Sequence, residues 1–222
     1  MFRKYEKTFR IVVPEIDVRG KFFLSNKEVQ LLLAGDVIVE EKMDGANTGI
    51  IRHKRGFHLQ KRGSLMEQGE HEQFGFFYNW AYRQNYELVM SIPMNHIVYG
   101  ELLYATHTLY YDKLPNYFLV FDVWTGQKWM DYDQRNEFCT KFGFHQVPFI
   151  TKGSFGVSDL FSLISDKSAY GEKSEGIVIK RYRKNEYLRG KIVKAEFIKH
   201  LDENDHWMKY SVKRNKLAEL GV

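Results

Sequence analysis

The sequence holds one cysteine, Cys139, and only four prolines in 222 residues. One thiol can form neither an intramolecular disulfide nor a four-cysteine zinc site. It suits a reducing compartment, so the expected location is cytoplasmic. The prolines are scattered, and no Pro/Gly/Ser-rich stretch, low-complexity tract or internal repeat marks a linker. No run approaches the roughly 18 apolar residues of a membrane span, which argues against a membrane partner. The first residues, Met1 to Lys7, have no apolar signal core, which argues against a secretory leader. The eight histidines show no metal-ligand spacing.

What is present is aromatic and moderately basic. Fourteen Tyr, 17 Phe and 4 Trp supply ample core material and exclude disorder. A net charge of +5 does not by itself mark a nucleic-acid binder. Its distribution is more telling. Between residues 180 and 194 stand Lys180, Arg181, Arg183, Lys184, Arg189, Lys191 and Lys194, against the single acid Glu186. Such a run attracts phosphates, or forms a solvated basic face.

β-Branched and aromatic runs predict strands over Val37–Lys42, Ile97–Leu103, Tyr117–Trp124, Gly176–Lys180 and Lys191–Phe197. Helices are predicted over Ser25–Leu33, where Ser25 and Glu28 form a capping-box pattern, and over His71–Met90, Asp131–Phe142, Ser158–Ile164 and Asp202–Leu220. The elements lack a strict βαβ rhythm, which predicts an α+β fold.

The segment most informative about chemistry is Glu40, Glu41, Lys42, Met43, Asp44, Gly45, Ala46, Asn47. A lysine at the end of an apolar strand is costly to keep charged, so burial is expected to lower its pKa and make a nucleophile of it. Gly45 would let the backbone approach a ligand closely. Further elements follow in order: Gly100-Glu101 after Tyr99, the aromatic strand Phe118 to Val123, Glu175-Gly176 leading to Lys180, and Ile192-Val193-Lys194.

Together these resemble the signature elements of the covalent nucleotidyltransferases. Asn47, the Lys61-Arg62 pair and the opening Met1 to Tyr5 resemble the phage RNA ligase 2 type, which includes the RNA-editing ligases. The resemblance implies an adenylyltransferase domain of antiparallel sheets flanked by helices over residues 1–200, with 201–222 as a charged helical tail of the same domain. It implies an ATP-dependent RNA ligase acting in RNA repair, with Mg2+ or Mn2+. Lys42 would carry AMP, then pass it to an RNA 5′-phosphate, and a 3′-hydroxyl would displace it. Glu40, Glu41, Asp44, Gly45, Asn47, Glu101, Phe121, Glu175, Lys180 and Lys194 would bind nucleotide. Phe121 would stack on adenine, Glu101 and Glu175 would lie near ribose and metal, and Arg62 and Lys61 would hold RNA.

Two features depart from that pattern. The family has a second lysine where this chain has Glu196, and strand alternation would put Ile192, Lys194 and Glu196 on one face. Alternation also puts Glu175 and Lys180 on opposite faces, so one of them would lie beyond the regular strand. About 28 residues follow Lys194, too few for an added OB domain. A minimal ligase, or a catalytic module with a partner such as an end-healing kinase or phosphatase, is the expectation. A DNA strand-sealing ligase, an RNA-capping guanylyltransferase and a non-catalytic RNA-binding protein are the alternatives.

Overall fold

A computed structural model describes residues 2–13, 22–183, 186–200 and 212–219, without the side chains of 198–200. Helix α1 (Asn26–Leu33) begins with the Ser25/Glu28 capping box, which satisfies two orphan amides. It leads into β1 (Val37–Glu41). A three-stranded run follows, β2 (Ala46–His53), β3 (Gly56–Lys61) and, after an intervening helical layer, β4 (Ile97–Leu102). That layer is α2 (Glu72–Asn79), a π-helical turn (Trp80–Gln84) and α3 (Tyr86–Ser91). The one helix expected over His71–Met90 is thus broken in the middle, and His71 serves as the cap of α2. The rest of the chain adds β5 (Phe118–Trp124), α4 (Tyr132–Phe142), β6 (Phe149–Gly153), α5 (Val157–Ser162), β7 (Gly176–Arg183), β8 (Glu186–Val193) and α6 (Ala195–His200).

The strands form two four-stranded antiparallel sheets, ordered β6-β1-β7-β8 and β3-β2-β4-β5. One apolar core packs Val37, Val39, Ile177, Ile179 and Ile192 of the first sheet against Leu32 of α1 and Leu160 of α5. Another packs Ile50, Val98, Phe118 and Val120 of the second sheet against Phe74, Phe77, Trp80 and Phe138 from the helices. The alternate strand positions carry charged and tyrosine side chains into a cleft lined by both sheets.

The C-terminal part departs from the sequence reading. β8 ends at Val193, and Glu196 lies in the first turn of α6, exposed to solvent. Residues 191–197 are therefore not one strand. The helix expected over Asp202–Leu220 falls partly outside the described residues. Its described portion, 212–219, is an extended strap with bridges from Arg214 to Ala105 and from Leu217 to Leu114.

Candidate functional site

The cleft has a volume of about 670 Å3, part of it open to solvent. Lys42 enters it immediately after β1, where its backbone N–H bonds the Gly176 carbonyl of β7. Its Nζ lies 2.5 Å from Glu175 Oε2. Glu175 stands one residue before β7, and the backbone of Gly176, at φ +154°, turns it toward Lys42. This resolves the alternation conflict, because Glu175 lies outside the strand and Lys180 within it.

Burial pushes the Lys42 ammonium down, but the charges of Glu175 and Glu101 and the Glu175 hydrogen bond outweigh it, and the net shift is upward. The expectation of a neutral amine therefore fails for the ligand-free site. The partner carboxylates bear the complementary strain. Burial raises Glu175, against the pull of Lys42. Glu101, on β4, is pushed up to about 7 by burial, with Lys42 and Arg62 acting in the other direction. The Gly45 N–H donates to Glu101 Oε1 at 3.2 Å.

Asn47, Arg62, Glu101, Phe121 and Lys180 line the cleft with Lys42, Glu40 and Glu41. Glu41 is buried; its Oε2 accepts from the Ala169 N–H at 2.9 Å. Among the described residues, its Oε1 and the Oδ1 of Asn47 are buried without a partner. Burial raises the Glu41 carboxyl. Phe121 meets the Tyr5 ring edge-on at 5.1 Å.

Other assignments change. Lys194 lies outside the cleft, 3.5 Å from Asp166 Oδ1. On β8 the cleft face carries Tyr187, Arg189, Lys191 and Val193, whereas Ile192 points into the apolar core. Lys191 is therefore the β8 cation of the cleft, and burial plus the Lys42 charge push it down to about 8. Lys61 pairs with Glu70 at 2.6 Å and does not line the cleft. Asp44 is a loop anchor: its Oδ2 accepts from the Thr108 and Leu109 amides, both at 2.7 Å. At Gly45 an added Cβ would lie 2.5 Å from the Leu102 carbonyl, so the close approach is to β4 and not to a ligand.

Glu40 and Lys180 line the cleft floor as members of a buried ionic cluster. Lys180 Nζ is 2.8 Å from Glu40 Oε2 and 3.1 Å from Asp122 Oδ1. Arg135 of α4 grips Glu40 through both terminal nitrogens. Burial raises Asp122, but Lys180, Arg135 and a hydrogen bond from Tyr5 outweigh it, and its carboxyl is held low.

Sequence reasoning misses Tyr5, Lys7 and Thr8, which bring the N-terminal segment into the cleft wall. The resemblance of the opening residues to a ligase N-terminus is the one signal pointing there. It also misses Arg135, whose signal is only an arginine in a mostly polar helix. Among the described residues, no group of three or more His, Cys, Asp or Glu side chains is arranged to hold a metal.

Two antiparallel sheets with a lysine and opposed carboxylates between them define the nucleotidyltransferase fold, an α+β architecture. The RNA ligase family profile matches residues 35–196, and the chain belongs to that family. No curated protein matches it. Among solved structures, a Naegleria gruberi RNA ligase with PPi superposes with a TM-score of 0.65 at 15% identity, over 80% of this chain and 55% of that one. A mutant of that ligase with ATP and Mn gives 0.63 at 14% identity, over 78% and 54%. A second mutant with ATP and Mn gives 0.62 at 14%, over 90% and 62%. This chain thus spans just over half the length of those ligases.

Proposed function

We propose that the protein is an ATP-dependent RNA ligase in which Lys42 carries AMP. The observation that carries this reading is the Lys42 amine at the meeting of Glu175 and Glu101, with the cations Lys191 and Arg62 lining the same cleft. Phosphates need positive charge around them, and these two cations supply it before any reorganisation. The orphaned acceptors on Glu41 and Asn47 suit donors on a nucleotide.

Lys42 must lose a proton before its lone pair can attack. Glu175 Oε2, in contact with Nζ, holds that proton in the paired ammonium, and would release it to solvent as a divalent cation took over its charge. Nζ then forms a bond to the α-phosphorus of ATP as the bond to the pyrophosphate oxygen breaks. Two carboxylates suit a hard divalent cation that takes its remaining ligands from phosphate and water. Such an ion, held by Glu101 and Glu175, would neutralise phosphate charge and weaken the hold of both carboxylates on the Lys42 proton. Arg62 then faces the 5′-phosphate that accepts AMP, and a 3′-hydroxyl displaces AMP to seal the strand. That chemistry accepts only 5′-phosphate and 3′-hydroxyl ends, so an end-healing kinase or phosphatase supplies substrates where ends are damaged. The adenylyltransferase unit is assigned to residues 1–200 with the strap as part of it. Among the described residues, no helix is long and apolar enough to cross a membrane.

The test is incubation with ATP and Mg2+ or Mn2+, followed by intact-mass measurement. The wild type should gain one adenylate and Lys42→Ala none, with GTP inactive. Nicked RNA should then be sealed in preference to nicked DNA. An adenylate that persists in Lys42→Ala overturns the assignment of the nucleophile, and equal sealing of DNA overturns the substrate.

A further inference from the structure

The Lys42 loop is held by two neighbouring side chains. Met43 packs among Leu103, Leu109, Tyr111 and Leu114. The Asp44 carboxylate takes the Thr108 and Leu109 amides, and the Asp44 N–H donates to Tyr111 Oη at 2.9 Å. All these contacts come from the long connection between β4 and β5. That connection contains no helix or strand of its own, so something else must fix it.

The strap does so, with Asn215 as its one buried polar side chain. Asn215 is 1% exposed, although its neighbours Arg214 and Lys216 are exposed. Its Nδ2 donates to the Leu103 carbonyl at 2.8 Å and the Ala105 carbonyl at 3.3 Å. Its Oδ1 accepts from the Tyr111 N–H at 2.9 Å and Thr106 Oγ1 at 3.0 Å. An asparagine amide offers two donors and two acceptor sites, and all four are used. The backbone contributes equally, since Asn215 N–H reaches the Tyr104 carbonyl, Lys216 N–H reaches the Tyr111 carbonyl, and Tyr117 Oη donates to the Asn215 carbonyl. Tyr111 thus lies between the strap, through its main chain, and Asp44, through its hydroxyl. The strap itself lies beyond the span matched by the family profile, which ends at residue 196.

We infer that Asn215 is a positioning residue for Lys42, acting through Tyr111 and Asp44, and that the strap 212–219 is required for efficient lysyl-AMP formation. The inference rests on Lys42 being the adenylylated residue. Removing the amide leaves two carbonyls, an N–H and the Thr106 hydroxyl without this partner, and the connection can then settle elsewhere. Lys42 loses its aim, while the groups that line the nucleotide cleft keep theirs. Misplacing a reacting group by about 1 Å can lower a rate about 100-fold.

The experiment compares wild type, Asn215→Ala, Tyr111→Phe and the double variant, with Lys216→Ala as a control. Two readings are taken, the kinetics of lysyl-AMP formation from ATP and amide hydrogen exchange without ATP. Asn215→Ala should lower the kcat of adenylylation about 10- to 100-fold with the KM for ATP little changed. The double variant should lose less than the product of the two single losses, because both cut one chain of contacts. Exchange should quicken at Asp44, Thr108 and Leu109 and not in β1, β4 or β7. Wild-type kinetics in Asn215→Ala, multiplicative losses, or faster exchange spread over both sheets would overturn the inference. If the wild type forms no adduct yet exchange responds locally, the clamp stands and the ligase reading fails. If exchange is unchanged, the clamp fails whatever the chemistry.

Discussion

A lysine nucleophile that rests as a paired ammonium needs its surroundings to change before it reacts. Glu175 and Glu101 hold Lys42 in the charged form, and the Lys42 charge helps to push the neighbouring Lys191 down. In the proposed reaction Lys191 would supply a positive charge beside Lys42 and a cation for the phosphates. Lys194 does not line the cleft and lies near Asp166, its charge reaching the cleft wall only at Glu41. Lys191→Ala should slow adenylylation about 100-fold, on the scale of removing one transition-state donor. Lys194→Ala should change it less than about threefold, the effect of losing an exposed ion pair. Adduct formation measured against time by intact mass decides the matter, and the reverse ranking would restore Lys194 to the site. Glu196 likewise does not line the cleft, being exposed on α6.

At the scale of elements, the β7–β8 hairpin shows how a glycine places a side chain. Gly176 adopts φ +154°, and an added Cβ would lie 2.1 Å from the Ile192 carbonyl of β8. Gly176→Ala should therefore cost about 1–3 kcal/mol in conformation alone. It should also swing Glu175 from Lys42, so the adduct yield falls with stability. Gly75 in α2 provides the contrast, since nothing lies within 4 Å of its added Cβ. Gly75→Ala should stabilise by up to about 1 kcal/mol through helix propensity. Urea denaturation of both variants checks the pair, and equal effects would show that local conformation is not the cause. The same elements show what is legible in sequence. Strands β1, β4, β5 and β7 announce themselves because apolar β-branched and aromatic residues fill their buried positions. β6 does not, being a half-exposed edge strand. β2 does not either, because Asn47, Gly49 and Arg52 interrupt its apolar run. At the end of β8, Lys194 to Phe197 reads as strand or helix equally well, and the chain turns into α6 there.

Across the whole molecule, the cleft floor is a neutral quartet that joins the two sheets to a helix. Glu40 and Lys180 come from one sheet, Asp122 from the other and Arg135 from α4, all of them about 1% exposed. Tyr5 reaches Asp122 from the N-terminal segment and so brings Lys7 and Thr8 to the cleft wall. Residues some 180 positions apart thus meet at one site, and no local pattern records that meeting, which is why Lys42 and Lys180 stand out in the sequence while Lys191, Tyr5 and Arg135 do not. A buried charge is costly chiefly when its partner is removed. Arg135→Met leaves Glu40 with one cation and the quartet with a net negative charge, so it should cost about 3–5 kcal/mol. Glu40→Met combined with Arg135→Met leaves the Lys180–Asp122 pair neutral and should cost less than Arg135→Met alone. The acid limb gives an independent check. Because the Asp122 carboxyl is held low, its contribution is present above the ordinary carboxylate range and is lost only as pH falls through the lowered value. Arg135→Met removes one of the charges that hold it there, so its acid unfolding should begin at higher pH than in the wild type. Urea midpoints at neutral pH and an acid titration followed by circular dichroism measure both. A double variant as costly as the sum of its single substitutions would mean that the four charges act independently and that the quartet is not a unit.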